Sequence, residues 1–166
     1  MTLKYRLKFY DYWHLSSGLS AGAKLDATVV KDRDYLPYAP AKTIKGLLRE
    51  ILEVEGINIE FLHKCYFGNA TLAKQTKKEI ISNKLQHNFY DVIASTKIDK
   101  NGIAVDNSLR EIEVVIPIEL TGEILDIPSQ DDYDVLKEAL GKIKRMGLNR
   151  NRGLGRCTFS ELKEGK

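Results

Sequence analysis

The order of hydrophobic periods along the chain limits its fold more than any other feature. Residues 3–9 alternate apolar and basic side chains, which is the period of a strand with one buried face. Two later segments repeat apolar residues every three or four positions, as amphipathic helices do. Further strands are predicted between these helices and after the second one. The order strand, helix, strands, helix, strand predicts an α+β fold.

Both helices have recognisable ends. The first follows Pro40 and stops at Gly56, while Ser129 and Asp132 resemble a capping box ahead of the second, which Gly147 can close. Packed on one face of an antiparallel sheet, they predict a single ferredoxin-like or RRM-like domain over residues 1–166. Their apolar stripes are Ile44, Leu47, Leu48, Ile51 and Leu52, and Val135, Leu136, Ala139, Leu140 and Ile143.

The middle of the chain predicts strands and a hairpin. One long strand is predicted from Glu111 to Leu125, with Pro117 indicating an edge or a bulge. Upstream, residues 89–98 predict a strand, residues 99–102 (DKNG) a turn, and residues 103–106 a returning arm. Residues 57–88 are predicted to be helical or mixed, with residues 73–85 as an exposed excursion. The long strand is expected to place Ile112, Val114, Ile116, Ile118 and Leu120 on one face.

Composition narrows the class of protein without naming it. The net charge of +3 permits a nucleic-acid partner only through a local basic surface. Cys65 and Cys157, with three scattered histidines, give no zinc spacing, so both thiols are expected to be buried in a reducing cytoplasm. No apolar run is long enough to span a membrane, and the N-terminus does not resemble a signal peptide.

Two basic segments are candidate anion sites. Lys42, Lys45 and Arg49 are spaced so that one face of the first helix can carry all three. The segment Gly147–Cys157 (GLNRNRGLGRC) combines glycines, which let a backbone approach a ligand, with donors that bind phosphates and base edges. Its donors are Asn149, Arg150 and Arg152. The alternatives are an exposed charged helix face and a basic surface turn.

Four stretches carry a family resemblance. They are YLPYAPAKTIKGLLRE, CYFGN, STKIDKNGIAVDNSLREIEVVIPIELTGEI and MGLNRNRGLGRC. Together they resemble the RAMP superfamily of CRISPR-associated proteins, most of all the repeated backbone subunit of type III effector complexes. The resemblance implies an RRM-like fold and several copies lined up along a CRISPR RNA (crRNA) beside other subunits. The family's usual Gly-Ser ahead of the first helix is replaced here by Ala41 and Lys42.

The resemblance also implies roles for single residues. Lys45 is expected to contact a crRNA phosphate from a solvent-facing position, with Lys42 as a substitute donor and the Gly-rich loop as a second contact. The hairpin matches the family's thumb, which wedges between guide and target RNA through Ile98 or Ile103. Asp26 matches the aspartate for metal-dependent target RNA cleavage, which would use Mg²⁺, with Asp32 and Asp34 as nearby alternatives.

Two other functions remain open at this point. A RAMP endonuclease that processes crRNA could use His14 after the first strand. A ferredoxin-like protein that binds a phosphorylated ligand, or one that only assembles, would also fit the pattern. Compared with the backbone subunits that it resembles, the chain is short, so we expect it to lack the insertions of larger relatives.

Overall fold

The computed structural model describes residues 1–16, 18 and 26–162. The predicted long loop His14–Tyr38 is therefore covered only in part, since residues 17 and 19–25 lie outside the described residues. Two short 3₁₀ turns, Glu60–His63 and Gln86–Phe89, accompany the regular elements. These elements are β1 (Leu3–Phe9), α1 (Ala41–Val54), β2 (Tyr66–Phe67), α2 (Lys74–Ser82), β3 (Tyr90–Ser95), β4 (Arg110–Val115), β5 (Glu119–Leu125), α3 (Gln130–Lys142) and β6 (Cys157–Glu161).

Four strands form the central antiparallel sheet. Their order is β2-β5-β1-β6, and Leu7 of β1 stands opposite Leu120 of β5 and Phe159 of β6. The connections β1–α1–β2 and β5–α3–β6 each skip a neighbouring strand, which is the split βαβ topology of ferredoxin-like folds. The predicted fold class is therefore confirmed.

One face of this sheet is covered by α1 and α3. The odd-numbered side chains of β1 are fully buried, whereas Lys4, Arg6 and Lys8 on the other face are exposed. Packing apolar strand residues under two amphipathic helices is the main source of stability in such a layer. The shared core contains Leu3, Tyr5, Leu7 and Phe9 of β1, Ile44, Leu48 and Leu52 of α1, and Leu136, Ala139 and Leu140 of α3.

The predicted start of the second helix is confirmed, but its predicted end is wrong. Ser129 Oγ accepts a hydrogen bond from the backbone N–H of Asp132 at 3.1 Å, as the capping pattern implied. The helix stops at Lys142, and Ile143 is extended with its side chain buried. Gly147 therefore does not close α3, and its positive φ of 93° serves the following loop instead.

The strand predicted from Glu111 to Leu125 is two strands in two sheets. β4 pairs with β3 in a separate ribbon, while β5 belongs to the central sheet, so the five apolar residues do not share one face. Pro117 lies at the break because it has no N–H to donate to a ladder. The backbone on either side turns to other partners: Ile116 N–H donates to Phe89, and Phe9 N–H donates to the Ile118 carbonyl.

Residues 57–88, which the sequence predicted only as helical or mixed, contain a third helix, α2. Within the predicted excursion at residues 73–85, α2 is exposed on most of its surface and buries Ile80. The β3–β4 ribbon follows α2 in the sequence. Both form an insertion in the chain between β2 and β5, two strands that are neighbours in the central sheet. No helix of the described residues is long and apolar enough to cross a membrane.

Both cysteines are buried and unpaired, as predicted. Burial raises the pKa of the Cys157 thiol to about 12. A thiol with so high a pKa carries almost no thiolate at neutral pH and is chemically inert.

Candidate nucleic-acid interface

The Gly-rich loop is attached at both ends to the segment that follows β1. Met146 N–H donates to the Gly155 carbonyl at 3.0 Å, and Gly155 N–H donates to the Tyr12 carbonyl at 2.8 Å. Leu148 N–H donates to the His14 carbonyl at 2.9 Å. Gly147 and Gly155 permit this approach, because both have positive φ and an added Cβ would lie 2.4 Å from the His14 oxygen or 2.0 Å from the Met146 oxygen.

The tip of the loop projects two arginines. Asn149 adopts φ 55°, and its carbonyl accepts a hydrogen bond from Arg152 N–H at 2.8 Å, which closes a tight turn. The side chains of Arg150 and Arg152 are exposed, while Asn149 is half-buried. The loop therefore presents two guanidinium groups to solvent from a backbone whose base is fixed. Such groups suit the planar, multidentate recognition of phosphate.

The basic residues of α1 are less free than expected. Lys45 is half-buried: its ammonium donates to the Leu62 carbonyl at 2.8 Å and lies 5.2 Å from the centre of the Phe67 ring. The expectation that Lys45 is solvent-facing is therefore wrong, because this side of α1 packs against the turn before β2. Lys42 is exposed.

Arg49 lies in an exposed ion pair with Glu53 at 2.8 Å. Exposed helix pairs of this spacing contribute only about 0.3–0.5 kcal/mol, so Arg49 can exchange Glu53 for a phosphate at little cost.

The structure does not gather the two predicted basic groups on one flank of α1. Arg150 lines a groove of about 440 Å³ together with Leu47, Ile51 and Val54 of α1. Lys45, by contrast, points to Leu62 and Phe67 near the β2 edge. Arg150 and Lys45 therefore lie on different sides of α1.

Asp26 is exposed and anchored to the ribbon. Its backbone N–H donates to the Glu111 carbonyl at 2.9 Å, and its Oδ2 accepts from Glu111 N–H at 2.8 Å. The neighbouring Ala27 bridges to Ile112 in parallel. The carboxylate that sequence singled out thus has a defined place at the base of β4.

A magnesium ion at Asp26 would depend on RNA for further ligands. Among the described residues there is no group of three His, Cys, Asp or Glu side chains that could hold a metal. Mg²⁺ is commonly held in proteins by one or two carboxylates together with waters and substrate phosphates, so a single exposed carboxylate fits that role. The ion would supply positive charge beside the scissile phosphate.

Asp32 and Asp34 are engaged in local structure. Asp32 Oδ1 accepts from Asp34 N–H and Leu36 N–H, and Lys77 forms ion pairs of 2.7 Å with Asp32 and 2.8 Å with Asp34. Burial by itself would raise the pKa of the Asp32 carboxyl, but the Lys77 ammonium and the two N–H donors lower it below its ordinary value. Both alternatives to Asp26 therefore have structural partners.

His14 is fully buried beneath the Gly-rich loop. Its Nδ1–H donates to the Glu113 carbonyl at 2.6 Å, and its backbone carbonyl receives the Leu148 N–H. The Nε2 atom has no hydrogen-bond partner among the described residues. His14 thus connects the loop to β4 and presents no surface to an RNA substrate.

The thumb, defined here as residues 96–109, extends from the β3–β4 ribbon. Asp99 N–H donates to the Ile103 carbonyl, and Asp99 Oδ1 accepts from Asn101 N–H and Ile103 N–H, so the predicted turn at the tip is present. Ile98 and Ile103 are 62% and 64% exposed. The tip therefore exposes apolar side chains that no part of the described core covers, which is typical of a binding surface.

We expect rapid backbone hydrogen exchange across the thumb in the isolated protein. Almost all of residues 96–109 are exposed, and little apolar contact opposes their local opening. Exchange measured by mass spectrometry should be complete there well before exchange in β1 or α1. Protection of residues 96–109 equal to that of β1 in the absence of RNA would contradict a thumb that becomes ordered on binding.

Sequence reasoning missed an aromatic group beside the Gly-rich loop. The Tyr10 ring is 42% exposed and lies 5.2 Å from Lys8 Nζ and 5.6 Å from Arg156 Cζ. Arg156 also pairs with Asp11 at 3.2 Å. The alternating pattern of β1 could have indicated that Tyr10 faces outward with Lys8, but only the β1–β6 pairing brings Arg156 to it.

The split βαβ topology, the inserted ribbon and the Gly-rich loop define a ferredoxin-like protein of the RRM-like class. The model of the RAMP superfamily matches residues 6–158, and the chain belongs to that superfamily. No curated protein matches the sequence.

Two solved structures of the type III-B Cmr-beta complex contain chains of the same fold. A chain of the complex bound to cognate target RNA matches with a TM-score of 0.73 and 10% identity, covering 97% of both chains. A chain of the apo state matches with a TM-score of 0.71 and 11% identity, covering 99% of this chain and 98% of that one.

Proposed function

We propose that this chain is a crRNA-binding backbone subunit of a type III CRISPR RNA-guided complex, with repeated copies along the crRNA, in the cytoplasm. Membership of the RAMP superfamily and the likeness to chains of a type III-B complex support this assignment. The observation that carries it is the thumb, whose exposed Ile98 and Ile103 stand at the end of a ribbon inserted into the central fold. Apolar side chains in such a position can unstack neighbouring bases of a guide–target duplex.

The Gly-rich loop supplies the electrostatic part of the proposal. Arg150 and Arg152 are exposed on a turn whose ends are hydrogen-bonded to the segment after β1. Contacts to phosphate position a protein on RNA without reading its sequence, as a backbone subunit requires. Lys42 and Arg49 add charge along α1, while Lys45 contributes only after leaving the Leu62 carbonyl.

The burial of His14 disfavours the rival function of crRNA-processing endonuclease. A catalytic histidine must reach the reacting atoms, and His14 is 0% exposed with Nδ1–H committed to Glu113. Target cleavage at Asp26 is part of our proposal, since this carboxylate is exposed and held in place by Glu111. A phosphorylated metabolite as ligand is separated from RNA by the experiment that follows.

We expect the double variant Arg150→Ala and Arg152→Ala to weaken binding of single-stranded RNA about equally for unrelated sequences. Each lost phosphate contact also lowers the salt dependence, by roughly 0.7 in the slope of log K against log salt for single strands. Fluorescence anisotropy at two or more salt concentrations measures both effects, and Lys64→Ala, another exposed cation, serves as the control.

The fold of the double variant should be unchanged, because neither side chain is buried. An unchanged RNA affinity in the double variant would indicate that the Gly-rich loop is an ordinary surface turn and not an RNA contact. Absence of RNA binding by the wild type, and of RNA copurifying with it, would contradict the proposed function as a whole.

A further inference from the structure

Tyr35 has an unfavourable backbone conformation for its residue type. Its φ is 61°, in the left-handed region, and its side chain is 71% exposed. A residue with a Cβ loses about 1–2 kcal/mol there, and glycine or asparagine would occupy the position more easily. The ring gains little from burial in return. An exposed aromatic side chain in strained backbone calls for a reason other than folding.

The surrounding turn forces this conformation on the chain. Asp32 N–H donates to the Leu36 carbonyl, Tyr35 N–H donates to the Asp32 carbonyl, and Asp32 Oδ1 binds two further N–H groups. Lys77 of α2 holds Asp32 and Asp34 from outside. The carbonyl of Tyr35 also accepts a hydrogen bond from the Tyr90 hydroxyl at 2.7 Å. Several independent hydrogen bonds thus fix the backbone at Tyr35 and, with it, the direction of its Cα–Cβ bond.

A cavity of about 360 Å³, named here the Tyr35 pocket, opens beside this ring. The Lys31 ammonium lies 4.3 Å from the centre of the Tyr90 ring and pairs with the buried Glu113 carboxylate at 2.7 Å. The lining of the pocket therefore combines two aromatic rings with an ammonium, an amide and an imidazole group. This chemistry suits a flat aromatic ligand with hydrogen-bonding edges. The pocket is lined by Lys31, Tyr35, Gln86, His87 and Tyr90.

A basic surface adjoins the pocket. The segment 74–84 contains four lysines and one acid, Glu79, whereas the whole chain has a net charge of only +3. Lys77 ties this segment directly to the turn that carries Tyr35, and the other three lysines, Lys74, Lys78 and Lys84, are exposed. Because Asp32 and Asp34 neutralise Lys77, the three exposed lysines supply the positive charge of this segment. Exposed cations together with an exposed aromatic ring are features of surfaces that bind single-stranded nucleic acid.

We propose that the Tyr35 pocket binds one unpaired nucleobase of a single-stranded RNA whose phosphates follow the lysines of α2. This inference rests on the RNA-binding function proposed above and adds a second contact surface to it. The base stacks on the Tyr35 ring, while His87, Gln86 and Lys31 face its edges. The hydrogen-bonded turn fixes the Tyr35 backbone before the RNA arrives, so only the side-chain torsions of Tyr35 have to be ordered on binding.

The decisive variant is Tyr35→Gly. Glycine tolerates φ 61°, so the variant should fold as stably as the wild type or more so, while the stacking surface is lost. We expect about a tenfold loss of affinity for a 12-nucleotide uridine RNA carrying 2-aminopurine at its centre. The 2-aminopurine fluorescence, quenched on binding to the wild-type chain, should remain high. Tyr66→Ala, which removes another exposed tyrosine, should behave as the wild type.

Each other outcome overturns the inference in a distinct way. If Tyr35→Gly leaves both the RNA affinity and the fluorescence quenching unchanged, the Tyr35 pocket is not an RNA-binding site. That result would not contradict the proposed RNA-binding function. Failure of the wild type to bind the RNA would overturn both. Full displacement of the RNA by AMP at equal concentration would mark a mononucleotide site. Loss of other subunits from the variant, with its RNA affinity unchanged, would assign the pocket to a protein partner.

Discussion

Replacing Gly155 by alanine is expected to lower the free energy of unfolding by about 2–4 kcal/mol. The new Cβ would lie 2.0 Å from the Met146 oxygen and 3.1 Å from the Met146 carbonyl carbon, both of them backbone atoms that cannot rotate away. Alanine is also strained at φ 71°. Relieving the contact would break the bonds from Met146 N–H to Gly155 and from Gly155 N–H to Tyr12. Urea unfolding followed by circular dichroism measures the change.

Gly153→Ala is the matched control for this prediction. Gly153 lies in the same loop with φ 90°, but nothing stands within 4 Å of an added Cβ, so only backbone strain of about 1–2 kcal/mol is expected. The difference between the two variants isolates the close approach at Met146. The loop carries the exposed arginines. Gly155→Ala should therefore also weaken RNA binding, and by more than Gly153→Ala does. Equal stability of the two variants would show that the loop is not held as described.

If the assembled complex cleaves target RNA, as proposed, substitution of Asp26 is expected to remove that cleavage while leaving guide binding intact. Asp26→Asn is the sharper variant, since its amide oxygen can still accept the Glu111 N–H but carries no charge to hold Mg²⁺. Labelled target RNA incubated with the complex should yield regularly spaced cuts that vanish in Asp26→Asn, in Asp26→Ala and in the presence of a chelator. Guide affinity should stay equal or rise slightly, because a negative charge beside RNA is lost.

Control variants distinguish a chemical role of Asp26 from an anchoring one. Asp106→Asn removes another exposed carboxylate of the thumb and should cut normally. Cutting retained by Asp26→Asn but lost in Asp26→Ala would show that the Glu111 hydrogen bond matters and the charge does not. Cutting retained by both would contradict the assignment and direct attention to Asp34, whose ion pair with Lys77 leaves its side chain 44% exposed.

Local rules were sufficient wherever neighbouring residues determine the outcome. The alternation in residues 3–9 predicted β1 and its buried face, and the capping pattern at Ser129 predicted the start of α3. The DKNG turn was also found at the tip of the thumb. In each case the favoured conformation comes from residues a few positions apart.

Long-range partners decided what the sequence could not. The alternating apolar residues from Ile112 to Leu120 predicted one strand. In the structure the first half pairs with β3 and the second half with β1, and Pro117 lies between the two halves. Lys45 was predicted to face solvent, but its ammonium donates a hydrogen bond to the carbonyl of Leu62, which lies 17 positions later in the sequence. Asp26 was predicted with Asp32 and Asp34 as nearby alternatives. Only the structure shows that Asp32 accepts two N–H groups of its own turn and that Asp34 pairs with Lys77.

The sequence by itself determined the fold class, the position of α1, the start of α3, the turn at residues 99–102 and the two basic segments, because hydrophobic period and turn chemistry act locally. The tertiary structure decided which of these segments meet. It joined the Gly-rich loop to the segment after β1, placed Arg150 and Lys45 on different flanks of α1, and turned Tyr35 outward beside α2. These contacts connect residues far apart in sequence, so they depend on the packing of the whole chain, which no local pattern records.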